Sequence, residues 1–341
     1  MRIPKLNFNV NSILSNSHLN TIIPVYLTQN IEPNYTRERL DTPDGDFIDL
    51  DWVNKDVIDK PTLVLFHGTE GSSKSHYARR IMFYLEQIGW RGVVPHYRSC
   101  SDEINRKPRF YHAGDIYDLS WVLSQIKART PKKLFASGVS LGGNMLLKFL
   151  GENPDNPVNA AIAISVPFDL EACTRELDNN LINKHLYVKH FLNSLLPKMQ
   201  AYAEIFKDAF LHLDRKIETL SDFNDTYICK TFNFKDEYEY YEKCSCIKSL
   251  KNIVTPTLIL QAQNDPMIPV HSWPDKEELS PSIRFVGTKT GGHAGFITLS
   301  MDHKKSLLKL PKFMVEYFNQ QINSDNFEAK IKDFDDAPEF A

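Results

Sequence analysis

The stretch LFASGVSLGG, residues Leu134–Gly143, decides how the rest of the chain is interpreted. Its first half is a short apolar run that predicts a buried strand, and it leads directly into the pattern Gly-x-Ser-x-Gly. The apolar segment Asn144–Leu150 follows and predicts a buried helix. Glycine at positions 138 and 142 suits a turn too tight for side chains, so the Ser140 hydroxyl should point out of the sheet.

Two interpretations of this pattern compete. A strand, a tight turn around a serine and a helix are typical of the nucleophile elbow of serine hydrolases. The same five residues also fit a glycine-rich turn that does nothing more than begin a helix. Because a serine hydroxyl alone is a poor nucleophile, the first interpretation requires a histidine and a carboxylate elsewhere in the chain.

The composition sets limits on the class of protein. The 341 residues, 42% hydrophobic and 24% charged, are enough for one large α/β domain with an insertion or for two domains. Lys and Arg (40) nearly balance Asp and Glu (43), which gives no reason to expect nucleic acid or an anionic membrane as partner. No apolar run has the length of a signal peptide or a membrane helix, which predicts a cytoplasmic protein without an integral membrane segment.

The five cysteines are spaced irregularly, at positions 100, 173, 229, 244 and 246. There is no Cys-x-x-Cys pair, and Cys244-Ser245-Cys246 has no second ligand pair nearby. We therefore expect free thiols in a reducing compartment rather than a metal site or a disulfide framework.

Apolar runs alternate with amphipathic segments along most of the chain, and this alternation predicts a mainly parallel sheet with helical crossovers. An Asp-Gly turn within Pro43–Asp46 predicts a hairpin before the first of these runs. The predicted strands are Pro61–Phe66, Gly92–Tyr97, Leu134–Ser137, Ala160–Val166, Thr257–Gln261 and Ile283–Val286. The predicted helices between and after them include Tyr77–Gln87, Gly114–Ile126 and Lys304–Asn319.

The same patterns divide the chain into four parts. Residues 1–34 are expected to form an irregular arm laid over the domain, and residues 35–169 with 251–320 the α/β core. Residues 170–250 lack strand signals and are expected to form a helical cap or lid, with helices at Leu181–Met199 and Ala201–Leu213. Residues 321–341 are rich in Asp and Glu and are expected to form a solvated acidic tail.

The best candidate for the catalytic base is His293, in the glycine-rich segment Gly291–Phe296 after the last predicted strand. Such a loop can carry an imidazole back over the carboxyl ends of the strands. The competing histidines fit less well. His271 is too close to the candidate acid, and the others fall in the insertion or the final helix, at His185, His190, His212 and His303.

Asp265 is the candidate acid because it directly follows the strand Thr257–Gln261. Loops at the carboxyl ends of strands carry the ligand chemistry of open α/β sheets. The alternative interpretation of Asp265 is an ordinary Asp-Pro turn, and Asp169, just beyond the strand Ala160–Val166, is the second candidate acid.

An oxyanion formed during acyl transfer needs two preorganised donors. We expect one to be the backbone N–H of Leu141, next to the nucleophile at a helix N-terminus. The other should be the N–H of Thr69, in the loop after the first buried strand, with His67 and Gly68 shaping that loop. A phosphate-binding loop is excluded at Gly68–Ser73 because no Gly-Lys-Ser/Thr follows.

Several of these segments together resemble the YheT-like branch of the α/β-hydrolase superfamily. The resemblance extends from about residue 15 to residue 318. It rests on Ser17–Leu19, Pro43–Phe47, Phe66–Tyr77, Gly89–Val94, Asn105–Asp115, Gly138–Leu146, Ser165–Leu170, Asn264–Pro266 and Gly291–Phe296. Thr69 and Ser99 depart from it, since leucine and glycine are more usual there.

The resemblance implies the α/β-hydrolase fold and a Ser140–His293–Asp265 charge relay that hydrolyses carboxylic esters. It implies short- to medium-chain acyl or lipid-like esters as substrates, and no metal or cofactor. Peripheral contact with lipid and the oligomeric state are left open. Two alternatives are also left open: an acyltransferase that uses the same triad to move an acyl group to an alcohol, and a non-catalytic binding protein on this fold.

Overall fold

A mostly parallel sheet of eight strands forms the centre of the part of the chain that the computed structural model describes, residues 16–207, 216–297 and 306–324. The strands are β1 (Thr36–Asp41), β2 (Phe47–Val53), β3 (Thr62–Phe66), β4 (Arg91–Pro95), β5 (Leu134–Val139), β6 (Ala160–Ile164), β7 (Thr257–Ala262) and β8 (Ile283–Thr288). Their order in the sheet is β1-β2-β4-β3-β5-β6-β7-β8.

The direction of the strands follows the predicted scheme. β1 and β2 form the predicted antiparallel hairpin at one edge, and β2 is also antiparallel to β4. All pairings from β4 through β8 are parallel. Each predicted strand is present. The apolar runs of β3 to β7 are buried on both faces, as parallel strands covered by helices require, while the edge strand β8 is only partly buried.

Helices cover both faces of the sheet. The helix α2 (His76–Gln87) and the closing helix Lys309–Ser324 pack on one face. The helices α3 (Ile116–Lys127) and α4 (Leu141–Glu152) pack on the other. This arrangement confirms the predicted α/β-hydrolase architecture.

The N-terminal segment differs from its prediction as an irregular arm. A helix, α1, spans Ser17–Leu27, and the Asn16 side chain caps it by accepting hydrogen bonds from the N–H groups of His18 and Leu19. Pro24 lies inside this helix, and the mixed polar and apolar residues around it have no clear helical period. Contacts with the rest of the protein therefore stabilise α1, while residues 1–15 lie outside the described residues.

The connection from β6 to β7 is helical, as predicted, but its helices have different bounds. It contains α5 (Leu170–Asn179), the helix Lys189–Ile205, which we call the cap helix, and the helix Glu237–Cys244. Two helices separated near residue 200 were predicted. Instead, helical structure continues from Leu181 through a π-helical turn and the cap helix to Ile205. The end of the second predicted helix lies among residues 208–215, outside the described residues.

Apolar side chains of this connection between β6 and β7 form a core of their own, separate from the two cores beside the sheet. It includes Leu177, Leu192, Leu195, Met199, Phe223 and Tyr241. The closing helix also differs from its prediction, since residues 321–324 are helical and only residues 325–341 of the expected tail lie outside the described residues. The proposed division of the chain into core and cap stays a prediction.

The five cysteines are free thiols, and four of them are buried. In the described parts of the chain, every helix is too short or too polar to cross a membrane.

Close backbone contact explains the glycines that flank Ser140. A Cβ atom on Gly138 would lie 2.3 Å from the carbonyl oxygen of Gly142, and one on Gly142 would lie 2.4 Å from the carbonyl oxygen of His67. Both distances are far below van der Waals contact, and both clashes are with backbone. The turn therefore accepts no side chain at either position.

We expect Gly138→Ala to lower the free energy of unfolding by about 3 kcal/mol, because the backbone must shift to make room. Gly89→Ala is the comparison: Gly89 has a φ of +71° but no atom near its missing Cβ. Gly89→Ala should lower the free energy of unfolding by only about 1 kcal/mol, which is the conformational strain of a side chain at positive φ. Urea unfolding of both variants measures the difference, and equal losses would contradict the steric argument.

Candidate active site

Ser140 occupies a strained turn between β5 and α4. Its φ of 55° and ψ of −125° place a residue with a side chain in a region that favours glycine. Its N–H donates to the carbonyl of Ile164 at 2.9 Å, and its own carbonyl accepts from the N–H groups of Gly143 and Asn144. Such strain persists only where the surroundings hold the backbone, and it is concentrated at functional sites.

His293 and Asp265 form a hydrogen-bonded pair at the same edge of the sheet. His293 Nδ1 lies 2.9 Å from Asp265 Oδ2 and 3.2 Å from Oδ1. The Asp265 side chain is fully buried, and its Oδ1 also accepts the N–H of Met267 at 2.9 Å. A carboxylate at Nδ1 places the imidazole proton there, which leaves Nε2 as the acceptor.

The end of β6 joins this pair to the serine turn. Ile164 accepts the N–H of Ser140, and the next residue, Ser165, accepts the N–H of Ala294 on its Oγ at 2.9 Å. Among the described residues, Ser140 and His293 share no direct hydrogen bond. In serine hydrolases without substrate, the hydrogen bond between the serine and the histidine is often long, and it shortens when substrate binds.

A buried arginine supports the loop that carries His293. Arg80 in α2 donates to the carbonyl oxygens of Gly295 at 2.8 Å and Ala294 at 3.0 Å. Burial lowers the pKa of Arg80 to about 9, so the guanidinium stays protonated at neutral pH. Sequence reasoning missed this residue, although its position on the apolar face of α2, between Tyr77 and Ile81, was the available signal.

The helix α1 holds the same loop from the opposite end of the chain. Thr21 Oγ1 accepts the N–H of His293 at 3.0 Å. The backbone of Asn20 lies so close that a Cβ on Gly295 would fall 2.1 Å from its carbonyl oxygen. His18 in α1 also lies 3.0 Å from the hydroxyl of Tyr187 in the cap. No motif in the sequence indicates these contacts.

Thr69 and Leu141, the two predicted oxyanion donors, lie in the loop after β3 and directly after Ser140. The loop after β3 approaches closely, since a Cβ on Gly68 would lie 3.1 Å from Ser140 Cβ. Tyrosine hydroxyls accept the N–H groups on either side of Thr69: Tyr77 accepts that of Gly68 and Tyr111 that of Glu70, both at 2.8 Å. Within the described residues, the N–H groups of Thr69 and Leu141 donate to no protein acceptor.

His67 shapes this loop as a neutral imidazole. Its Nδ1 donates to the carbonyl of Gly68 at 2.8 Å, and its Nε2 accepts the N–H of Tyr97 at 3.1 Å. Complete burial lowers the pKa of His67 to about 3. A proton acceptor at Nε2 and a donor at Nδ1 require the neutral form, so the bonding pattern agrees with the lowered pKa.

The other candidates from the sequence lie elsewhere. Asp169 caps α5 by accepting the N–H of Ala172 at 3.0 Å, which is a structural role. His271 is exposed on a turn, and His185 and His190 are exposed on the cap. His212 and His303 lie outside the described residues. In the parts of the chain that the structure describes, no group of three or more His, Cys, Asp and Glu residues could hold a metal ion.

Comparison with known proteins places this chain in a family. The model of the alpha/beta hydrolase fold matches residues 61–298. The YheT protein of Escherichia coli (strain K12) is 36% identical over 313 residues, which cover 89% of this chain and 91% of that protein. Phospholipase ABHD3 of Bos taurus is 29% identical over 288 residues, which cover 81% of this chain and 70% of that protein.

A solved structure, that of the Pyrococcus furiosus esterase Pf2001, matches 84% of this chain and 94% of its own with a TM-score of 0.52. Its identity of 15% makes this a likeness of fold alone. The match to the fold family covers most of the chain, and the similarity to YheT extends over nearly the full length of both proteins. The chain therefore belongs to the α/β-hydrolase family, in its YheT-like branch.

Proposed function

We propose that this ester hydrolase cleaves carboxylic esters through Ser140, His293 and Asp265, with an acyl-enzyme intermediate. In the first step His293 Nε2 takes the proton of Ser140 as Oγ attacks the ester carbonyl carbon. Asp265 keeps the imidazole oriented and stabilises the imidazolium that forms. The N–H groups of Leu141 and Thr69 donate to the oxyanion of the tetrahedral intermediate.

The intermediate then collapses, and His293 returns the proton to the leaving alcohol oxygen. Water attacks the acyl-enzyme in the second step, with His293 again accepting and returning a proton, and the carboxylic acid leaves. The observation that carries the proposal is the hydrogen bond of His293 Nδ1 to a fully buried Asp265, next to a serine in a strained turn. A binding protein without catalysis has no need for that strain.

Apolar surroundings of the site support an acyl substrate. Met267, two residues after Asp265, and Ile268 belong to the apolar core of the cap, and Leu141 and Trp273 pack against it. Ligand pockets are mostly apolar with a few placed polar groups. One relative is named a phospholipase. We therefore propose short- to medium-chain acyl or lipid-like esters as substrates, with residues 170–250 as a cap over the site.

The helix α1 acts in this proposal as a support for the base. Its Thr21 fixes the backbone N–H of His293, while Asp265 fixes the ring. Small displacements of a catalytic group have large effects on rate, because the reacting atoms must be aligned when they approach.

Ser140→Ala should lower kcat for nitrophenyl butyrate by at least about 10⁴-fold, because the nucleophile is lost. Ser137→Ala is the matched control, since the Ser137 hydroxyl is buried in β5 without a hydrogen-bond partner in the described residues. The control should retain activity and react with a fluorophosphonate at Ser140. Activity near wild type in Ser140→Ala would refute the proposed nucleophile.

Thr21→Ala should lower kcat/KM by about 10-fold, since it removes the acceptor for the N–H of His293. Thr28→Ala is the control: Thr21 and Thr28 both donate to a carbonyl four residues earlier, but within the described residues Thr28 makes no hydrogen bond to the His293 loop. Both variants should lose similar thermal stability. Equal activities in the two variants would show that α1 does not position the base.

A further inference from the structure

A buried ion pair joins the cap helix to the loop that carries Thr69. Lys198 Nζ lies 2.7 Å from Oε1 and 2.9 Å from Oε2 of Glu70, the residue that follows Thr69. The side chains are only 13% and 6% exposed. A buried pair of this kind costs desolvation and is strongly destabilising to break, because one charge is left without its partner.

Both the side chain and the backbone of Glu70 are held. Tyr111 donates its hydroxyl to Oε1 at 2.8 Å and accepts the N–H of Glu70 at 2.8 Å, while Ser194 in the cap helix donates to Oε2. Glu70 has a φ of 54°, in the region that favours glycine. A glutamate adopts that conformation only where its surroundings maintain it.

Lys198 keeps its charge at neutral pH. Burial alone lowers the pKa of Lys198, but its contacts with Cys100 and Glu70 outweigh that effect and raise the pKa above its ordinary value. Cys100 lies 3.6 Å from Lys198 Nζ, yet burial raises the pKa of Cys100 to about 12, so its thiol is neutral. Glu70 is therefore the main hydrogen-bond partner of Lys198, since both of its carboxyl oxygens contact Nζ.

One face of the cap helix makes the contacts of Ser194 and Lys198 with Glu70. Ser194, Lys198 and Tyr202 are spaced four residues apart, so they share a face of the helix. The Tyr202 hydroxyl lies 2.7 Å from Ser99 Oγ and donates to the carbonyl of Arg109. These polar side chains therefore attach the cap helix to the core. Ser194 and Lys198 contact Glu70, the residue next to the proposed oxyanion donor Thr69.

We propose that Glu70 is a positioning residue that couples the docking of the cap helix to the oxyanion hole. While Lys198 and Ser194 hold its carboxylate, the left-handed backbone at residue 70 keeps the Thr69 N–H directed at the oxyanion. When the cap helix moves away, that restraint is lost and the donor turns aside. This inference rests on the proposed function, and it makes catalysis dependent on a docked cap.

Glu70→Gln, Lys198→Met and the double variant test the coupling. Each single variant should lower kcat for nitrophenyl butyrate by about 10- to 100-fold, in the range expected for a misplaced oxyanion donor. KM should stay within about two-fold, because the ground state makes little use of that donor. The double variant should be no slower than the slower single variant, since the two residues act through one contact.

An exposed ion pair of the cap provides the control. Arg175 and Glu171 in α5 are four residues apart, with side chains 58% and 39% exposed. Arg175→Met and Glu171→Gln should leave kcat unchanged. Ser194→Ala is a milder test that keeps both charges, and it should lower kcat about three-fold at unchanged KM.

The outcomes separate the inference from the proposed function. If kcat of Glu70→Gln, Lys198→Met and Ser194→Ala stays within two-fold of wild type while Ser140→Ala is inactive, the inference is wrong and the function stands. A lower Tm at unchanged kcat also overturns it, because the pair is then only structural. If both charge variants fail to fold, Ser194→Ala decides alone. An active Ser140→Ala would instead overturn the proposed function.

Discussion

The close passage of three backbone segments at the end of β5 is the constraint on which the candidate site depends. The turn at Ser140 brings Gly138 against Gly142, and Gly142 against the carbonyl of His67. This contact fixes the serine, the N-terminus of α4 and the loop after β3 relative to one another. The proposed nucleophile and both proposed oxyanion donors therefore depend on the same backbone packing. The histidine and the acid reach it from the neighbouring strands of the same sheet edge.

Much of the framework could be predicted from local patterns. Parallel strands are buried on both faces, so runs such as Leu63–Leu65 and Ala160–Ile164 stand out from the amphipathic helices between them. The candidate site could be predicted for a related reason. Ser140, Asp265 and His293 each follow a strand, and the carboxyl ends of parallel strands meet at one edge.

The supports of the site could not be predicted, because they join residues far apart in the chain. Thr21 and His293 are 272 residues apart, and Lys198 and Glu70 are 128 apart. Neither pair belongs to a periodic pattern. The helix α1 lacks a helical period and contains Pro24, so only its tertiary contacts explain it. Arg80 alone had a signal, as a charge on the apolar face of a helix.

The contact of α1 with the His293 loop bears on how the boundaries of this domain are drawn. The family match begins at residue 61, after α1 and the hairpin of β1 and β2. A fragment cut at that boundary retains every residue of the proposed triad but loses the acceptor for the His293 amide. We therefore expect the smallest active unit to be longer than the segment by which the family is recognised. Truncations for expression or domain shuffling should begin no later than Asn16, the cap of α1.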